Sequence, residues 1–320
     1  MIIAITGGTG FIGHKLVMRH LELGDEVRVL SRRPHEKSSL PDSVRWYYGN
    51  LSKSADLHLF VNHADILYHC AGEILDTPNM KSIHVDGTER LIHAATGRIG
   101  RWIQLSSVGA YGQHRLGLIS EETSLNPKGE YEVTKVQSDK LVTDAAKDGA
   151  FHSIILRPSI VYGNEMTNGS LFNLIAWIQR GRFFFIGKPG ASANYIHVDN
   201  VVKALLLCGE TEHVNGQIYN LSDYRSLEDF VGIIAYALGR VPPNLRVPES
   251  PVRGLIKLLS WMPSIPLTSS RINALTGFTV YQNSKIEQEL NYHHEISMED
   301  GLTQLVTYWR SNLMKNKSAG

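Results

Sequence analysis

From Met1 to about Ser159 the chain alternates short apolar, β-branched runs with stretches whose apolar residues recur every three or four positions. The runs "IIAIT", "EVRVL", "VRWYY", "DILYHC", "RWIQLSS" and "HSIILRPS" read as strands. Between the first two, Ile12, Leu16, Val17 and Leu21 share a helical face, and Gly24 stands where that helix should stop. Strands alternating with helices are the rhythm of βαβ units, so the pattern predicts an α/β protein built on a parallel sheet. After Gly163 the rhythm loosens. "SLEDFVGIIAYALG" opens with a Ser226 to Asp229 capping box, "SKIEQELN" with a Ser284 to Glu287 box, and "YNLS" between them is one more strand. A smaller, mostly helical region is therefore expected behind the sheet.

Composition narrows the partners. The 320 residues are enough for one large domain or two unequal ones, and 32 basic against 31 acidic residues leave a net charge of +1. No basic cluster marks a nucleic-acid or membrane surface. The two cysteines, Cys70 and Cys208, lie far apart in apolar runs and form no metal-binding or redox motif, which fits a reducing, cytoplasmic setting and no metal. The opening "MIIAITGG" has no basic leader and reads as a first strand rather than a signal peptide. No apolar run reaches membrane-spanning length, so no stable membrane insertion is expected.

The first strand runs into "TGGTGFIG". Gly7, Gly10 and Gly13 are spaced three apart, and Gly8, Gly10 and Gly13 satisfy GxGxxG between a strand and a helix, the context a dinucleotide-binding turn requires. Glycines let the chain turn sharply and bring backbone N–H groups close to a pyrophosphate at a helix N-terminus. This makes the sheet Rossmann-like and doubly wound. The dinucleotide-binding domain is expected over residues 1–163, with segments at about 195–222 returning to it; residues 164–320 are mainly a substrate-binding region. At the end of the second strand, where NAD binders carry a carboxylate, stand Ser31, Arg32 and Arg33. A hydroxyl and guanidinium groups suit a 2′-phosphate, so NADP is the expected cofactor, with NAD the alternative.

"YEVTK" places Tyr131 four residues before Lys135 in a stretch of good helix formers, where such residues stack on one face. A lysine ammonium beside a phenol should lower its pKa and let it exchange protons near neutrality. A second pair, Tyr281 and Lys285, has the same spacing, but the box at Ser284 puts Tyr281 outside that helix. Ser106 and Ser107 end a predicted strand, where ligands of open parallel sheets collect.

With these strings, and with "HCAGE", "HVDGT", "SSVGAYG", "LRPSIVYG" and "YIHVDNVVKAL", the chain resembles the extended short-chain dehydrogenase/reductases, the epimerase, dehydratase and ketoreductase group, over nearly its whole length. The resemblance implies Ser107 as catalytic serine, Tyr131 as acid/base, and Lys135 as the partner that also binds the nicotinamide ribose. It implies cofactor contacts from the turn (Gly7, Gly10, Phe11, Ile12, Gly13), from Ser31 and Arg32, from Asn50 and Leu51, from Ala71 and Gly72, and from Pro158 and the backbone after Arg157 and Pro158. Two positions depart from the family pattern: His84 stands where Asn is usual, and Asn50 where Asp is common beside the adenine. Dehydration is disfavoured, because "SVGA" after Ser106 carries no carboxylate. The expected activity is reduction or epimerisation of a nucleotide sugar, with Arg182, Lys188, Arg253 and Arg271 as candidate diphosphate partners. The alternatives are reduction of an apolar ketone, in which "PVRGLIKLLSWMPSIPL" shapes an apolar pocket or touches a membrane, against the simpler reading of that run as a buried helix with Arg253 and Lys257 on its wet face, and a dinucleotide-binding sensor without chemistry. Family members often pair, which implies a homodimer.

Overall fold

The computed structural model describes residues 1–51, 56–114, 116–166, 169–258 and 269–318. Seven parallel strands form the main sheet: β1 (Ile2–Thr6), β2 (Glu26–Ser31), β3 (Arg45–Tyr48), β4 (Ala64–His69), β5 (Ile99–Leu105), then His152–Pro158 and Gln217–Leu221. In space the order runs β3, β2, β1, β4, β5, His152–Pro158, Gln217–Leu221. The chain winds outward in both directions from β1, which makes the boundary between β1 and β4 the switch point where such sheets bind ligands. Each strand predicted from the pattern is present. Both faces of the sheet are apolar, as expected of parallel strands covered on both sides. One face carries the first helix (Phe11–Glu22) and the helix Val198–Glu210; Phe60, Leu91, Trp102 and Val142 belong to the core on the other. The first helix stops as expected, with Gly24 at φ +81°.

The region behind the sheet is less helical than its pattern suggests. Three small sheets thread through it. Ile160–Tyr162, Ser192–His197 and Asp223–Ser226 form one; Phe185–Ile186 pairs with Arg246–Val247, and Leu116–Ile119 with Phe278–Tyr281. These strands are two to six residues long, too short for an alternating pattern to stand out. A separate apolar cluster around Ile175, Phe230, Ile234 and Leu302 holds the region together. Ser226 caps its helix as read from the sequence: its Oγ accepts from the Asp229 N–H at 3.0 Å and donates to the Asp229 carboxylate at 2.6 Å. The Ser284 box does not form. Asn283 is the cap residue there, and its Oδ1 accepts instead from the Ser222 N–H at 2.8 Å. In the run read as a buried helix, Glu249–Leu258 is helical and Arg253 is half-buried, bonding Glu249 and Asn273 at 2.6 and 2.7 Å; the Lys257 side chain and residues 259–267 lie outside the described residues. No described helix is long and apolar enough to cross a membrane.

Two glycines show why the first turn tolerates no side chain. Gly7 has φ +70°, and a Cβ on it would lie 2.7 Å from the Ala71 nitrogen. A Cβ on Gly13 would lie 2.2 Å from the Gly7 carbonyl oxygen. The first helix thus starts flush against the turn that feeds it, and the turn presses on the residues after β4. Gly232, inside the helix Leu227–Ala237, has open space at its Cβ position. The same change should therefore act with opposite sign at the two sites in chemical denaturation. Gly13→Ala should cost about 1–3 kcal/mol by overpacking, and Gly232→Ala should add about 0.5–1 kcal/mol by removing glycine's entropy cost.

Candidate active site

At the switch point lies a cleft of about 440 Å³. Of the expected cofactor residues, Gly7, Gly10, Phe11, Ser31, Arg32, Asn50, Leu51, Ala71 and Gly72 line it. Gly10 is the N-cap of the first helix and has no side chain to bond the helix's leading N–H groups, so those donors are left for an anion. The backbone packing at Gly7 and Gly13 and the basic residues Arg32 and Arg33 on the lining suit a dinucleotide diphosphate. The other expected contacts are placed differently. Ile12 packs on the core of the first face, Gly13 is buried beneath the turn, Pro158 is buried at the end of its strand and Lys135 is buried against the end of β5; none of the four lines the cleft, and neither do Ser107 and Tyr131. The Ser31 hydroxyl accepts from the Arg33 N–H at 3.1 Å, which shapes the turn after β2, and Arg32 itself is exposed. His14, Ser39 and Glu165 also line the cleft and were not anticipated. His14 and Ser39 bond each other at 3.2 Å although 25 residues apart, a pairing no local pattern reveals.

The helix Glu130–Lys147 carries Tyr131 and Lys135 on the face that it turns to the protein, with Ser138, Asp139 and Val142 continuing it. Lys135 is 5% exposed, and its ammonium donates to the Leu105 carbonyl at the end of β5 at 2.6 Å. Burial lowers its pKa, and the Asp139 carboxylate, one turn further on, opposes that. Tyr131 does not show the acidity expected of it. Burial pushes the phenol up to about 12, and the Asp139 and Glu132 carboxylates add to the rise. Spacing put the two side chains on one face, but desolvation outweighs any help from the ammonium. Ser107 sits at the mouth of a short turn, Val108–Tyr111, where its Oγ caps the Gly109 N–H at 3.1 Å. The second tyrosine–lysine pair is split between a strand ending at Tyr281 and the following helix, and the Lys285 ammonium lies over the Tyr219 ring.

Behind these residues runs a buried polar system that the sequence reading did not find. Asp139 accepts from Ser106 at 2.7 Å and from Arg157 at 3.1 Å; Arg157 also donates to the Tyr111 hydroxyl, which donates to Asn220. Arg157 and Asp139 are both almost fully buried, so each offsets the other's desolvation. Nearby, His69 bridges the Thr6 and Thr88 hydroxyls at 2.6 and 3.0 Å, and Thr6 accepts from the Ala71 N–H. Among the described residues, no group of three or more His, Cys, Asp or Glu is placed to hold a metal ion.

Of the candidate substrate cations, Arg253 is half-buried and bonds Glu249 and Asn273, and Arg182, Lys188 and Arg271 are exposed. Lys188 lines a second, larger cavity of about 910 Å³ with Leu116, Pro189, Pro248 and Phe278 among its walls.

Comparison with known proteins agrees with this architecture. Residues 3–222 match the NAD dependent epimerase/dehydratase family. A UDP-glucose 4-epimerase of Vibrio cholerae is 24% identical over 316 residues, covering 94% of this chain and 93% of its own. A 4-hydroxy-2-methyl-3-oxo-4-farnesyl-3,4-dihydroquinoline-1-oxide ketoreductase of Stigmatella aurantiaca is 25% identical over 318 residues, covering 94% of each. Among solved structures, the UDP-glucuronic acid 4-epimerase of Bacillus cereus in complex with NAD superposes with a TM-score of 0.76 at 19% identity, covering 98% of this chain and 99% of that one. The chain belongs to the NAD dependent epimerase/dehydratase family, within the extended short-chain dehydrogenase/reductases, and is an enzyme of that superfamily.

Proposed function

We propose that the protein transfers hydride between a nicotinamide dinucleotide and a carbonyl or secondary alcohol, with Ser107, Tyr131 and Lys135 as the catalytic set, and that its substrate is a nucleotide sugar. The observation that carries this reading is the position of the glycine turn and the helix Glu130–Lys147 at the same end of the parallel sheet, at the ends of β1 and β5 with β4 between them. The turn is beside β1, and Lys135 is held by the last residue of β5. A dinucleotide bound along the switch point supplies or takes up the hydride. The chain's own residues then manage the oxygen. Tyr131 is fully protonated at neutral pH, because burial holds its phenol near 12, so it is ready to donate a proton to a carbonyl oxygen as that oxygen gains charge. The Ser107 hydroxyl can leave its cap to hold the same oxygen, and the Lys135 ammonium stabilises the phenolate that remains. Arg32 and Arg33 at the cleft, with no carboxylate at the end of β2, support NADP over NAD.

The nucleotide-sugar reading draws on the epimerases among the relatives and structural neighbours. One observation favours an apolar ketone instead: Arg253 is already bonded within the protein, and the larger cavity presents leucine, proline and phenylalanine beside Lys188, while its other cation, Arg246, is paired with Glu228. A binding screen of nucleoside diphosphates, nucleotide sugars and hydrophobic ketones in the presence of NADPH separates the two. Saturable binding confined to the ketones would overturn the sugar assignment. The second part of the reading, a cytoplasmic homodimer of a dinucleotide domain and a substrate region, is tested by sedimentation and by fractionation of cells that express the chain.

With the substrate that the screen identifies, Tyr131→Phe should lower turnover by roughly 10²- to 10⁴-fold and leave NADPH binding within twofold. Normal turnover in that variant would remove Tyr131 from the reaction. Arg32→Ala should weaken NADPH by about tenfold or more and leave NADH nearly unchanged, as read by nicotinamide fluorescence. Equal loss for both would remove the basis for NADP.

A further inference from the structure

His84 is 1% exposed and uses both ring nitrogens. Its Nε2 accepts from the backbone N–H of Glu73 at 2.8 Å, directly after Ala71 and Gly72 of the cleft. A Cβ on Gly72 would lie 3.4 Å from that same nitrogen, so the ring is packed against the loop as well as bonded to it. Its Nδ1 meets the Thr134 hydroxyl at 2.8 Å, and Thr134 stands between Tyr131 and Lys135 on their helix. The ring lies edge-on to the Tyr131 ring, with centroids 5.6 Å apart. One imidazole therefore touches the cofactor loop, the catalytic helix and the phenol ring.

Hydrogen-bond chemistry fixes its state. A backbone N–H can only donate, so Nε2 must offer a lone pair, and the ring's proton is on Nδ1. Nδ1 then donates to Thr134, whose hydroxyl passes its own proton to the Glu130 carbonyl at 2.7 Å or the Tyr131 carbonyl at 3.1 Å. An imidazolium would set two N–H groups against each other at Glu73. The charged groups around the ring agree. Burial and the Lys135 ammonium lower its pKa to about 4, and the Glu73 carboxylate opposes them. Because the resemblance places Asn at this position, the histidine is a departure in this chain rather than a shared feature.

We propose that His84 is a positioning residue: a neutral, Nδ1-protonated imidazole that pins the loop Ala71–Glu73 to the helix of Tyr131 and Lys135, so that the dinucleotide and the phenol are held in one fixed relation. The claim that this affects chemistry rests on the role proposed for Tyr131; the bridge itself does not.

The test uses the full chain labelled with 15N in histidine and 13Cζ in tyrosine. His84→Asn assigns the histidine signal, and Tyr131→Phe the tyrosine one. In the wild type, two-bond nitrogen–proton correlations should show His84 neutral with its proton on Nδ1, unchanged from pH 8 to pH 5.5. Thr134→Val cuts only the helix side, and should shift the Tyr131 13Cζ signal while leaving NADPH affinity within twofold. His84→Phe keeps the edge-on ring and loses both bonds; it should shift the same signal and weaken NADPH by about fivefold, the equivalent of one lost hydrogen bond to the loop. An Nε2–H tautomer, an imidazolium, or an unmoved Tyr131 signal and NADPH affinity in both variants would overturn the proposal, even if melting temperatures fall. Failure of the wild type to bind either NADPH or NADH would instead overturn the proposed function, while the tautomer and the Tyr131 signal would still report on the bridge.

Discussion

The site depends on backbone meeting backbone where β1 ends. Gly7 lies against the peptide between Cys70 and Ala71, and Gly13 against the Gly7 carbonyl, with no room for a single carbon at either place. That contact brings the leading N–H groups of the first helix to the boundary between β1 and β4, where the chain winds apart and leaves a crevice. Each element that frames the cleft takes its position from it. The loop after β4 is pressed against the turn, the Thr6 hydroxyl accepts from the Ala71 N–H, and His69 ties Thr6 to Thr88 on the next layer. A larger residue in the turn would displace the ends of two strands, not one.

A second constraint is electrostatic. Lys135 keeps an ammonium in a setting that penalises it, and the compensation comes from the Leu105 carbonyl and from Asp139 one helical turn away. Asp139 is in turn held by Ser106 and Arg157, and Arg157 by Tyr111. Removing one member of such a chain leaves a buried charge without its partner, which costs far more than an exposed ion pair contributes. The result is a stiff support beneath the helix Glu130–Lys147, in which the lysine and the carboxylate on neighbouring turns share one environment.

Much of this was legible in the sequence, for reasons that differ by element. The main strands announced themselves because both faces of a parallel sheet are buried, so each strand is a continuous apolar run. The glycine turn was legible because its geometry excludes other residues, and the Ser226 cap because its partner is only three residues away. What escaped was set by distant packing. The acidity of Tyr131 depended on how completely the phenol would be desolvated, which spacing to Lys135 does not tell. Arg157 and Asp139 are 18 residues apart and meet only because a strand and a helix stack. Asn283, not Ser284, stands at the cap position, and its side chain bonds Ser222, 61 residues earlier, which no local spacing reveals. His84 showed itself as a departure in a motif, but its two partners lie 11 and 50 residues away.

The pairing of Leu116–Ile119 with Phe278–Tyr281 links parts of the chain that a division at residue 163 would separate. Thr279 also donates to the His114 carbonyl at 2.7 Å, and Tyr281 packs on Val108, Tyr111 and Ile119, just downstream of Ser107. The serine's turn is thereby mechanically fastened to the rear of the molecule. A displacement of that rear portion would therefore be felt at the turn that holds the Ser107 hydroxyl, and the two cannot shift independently.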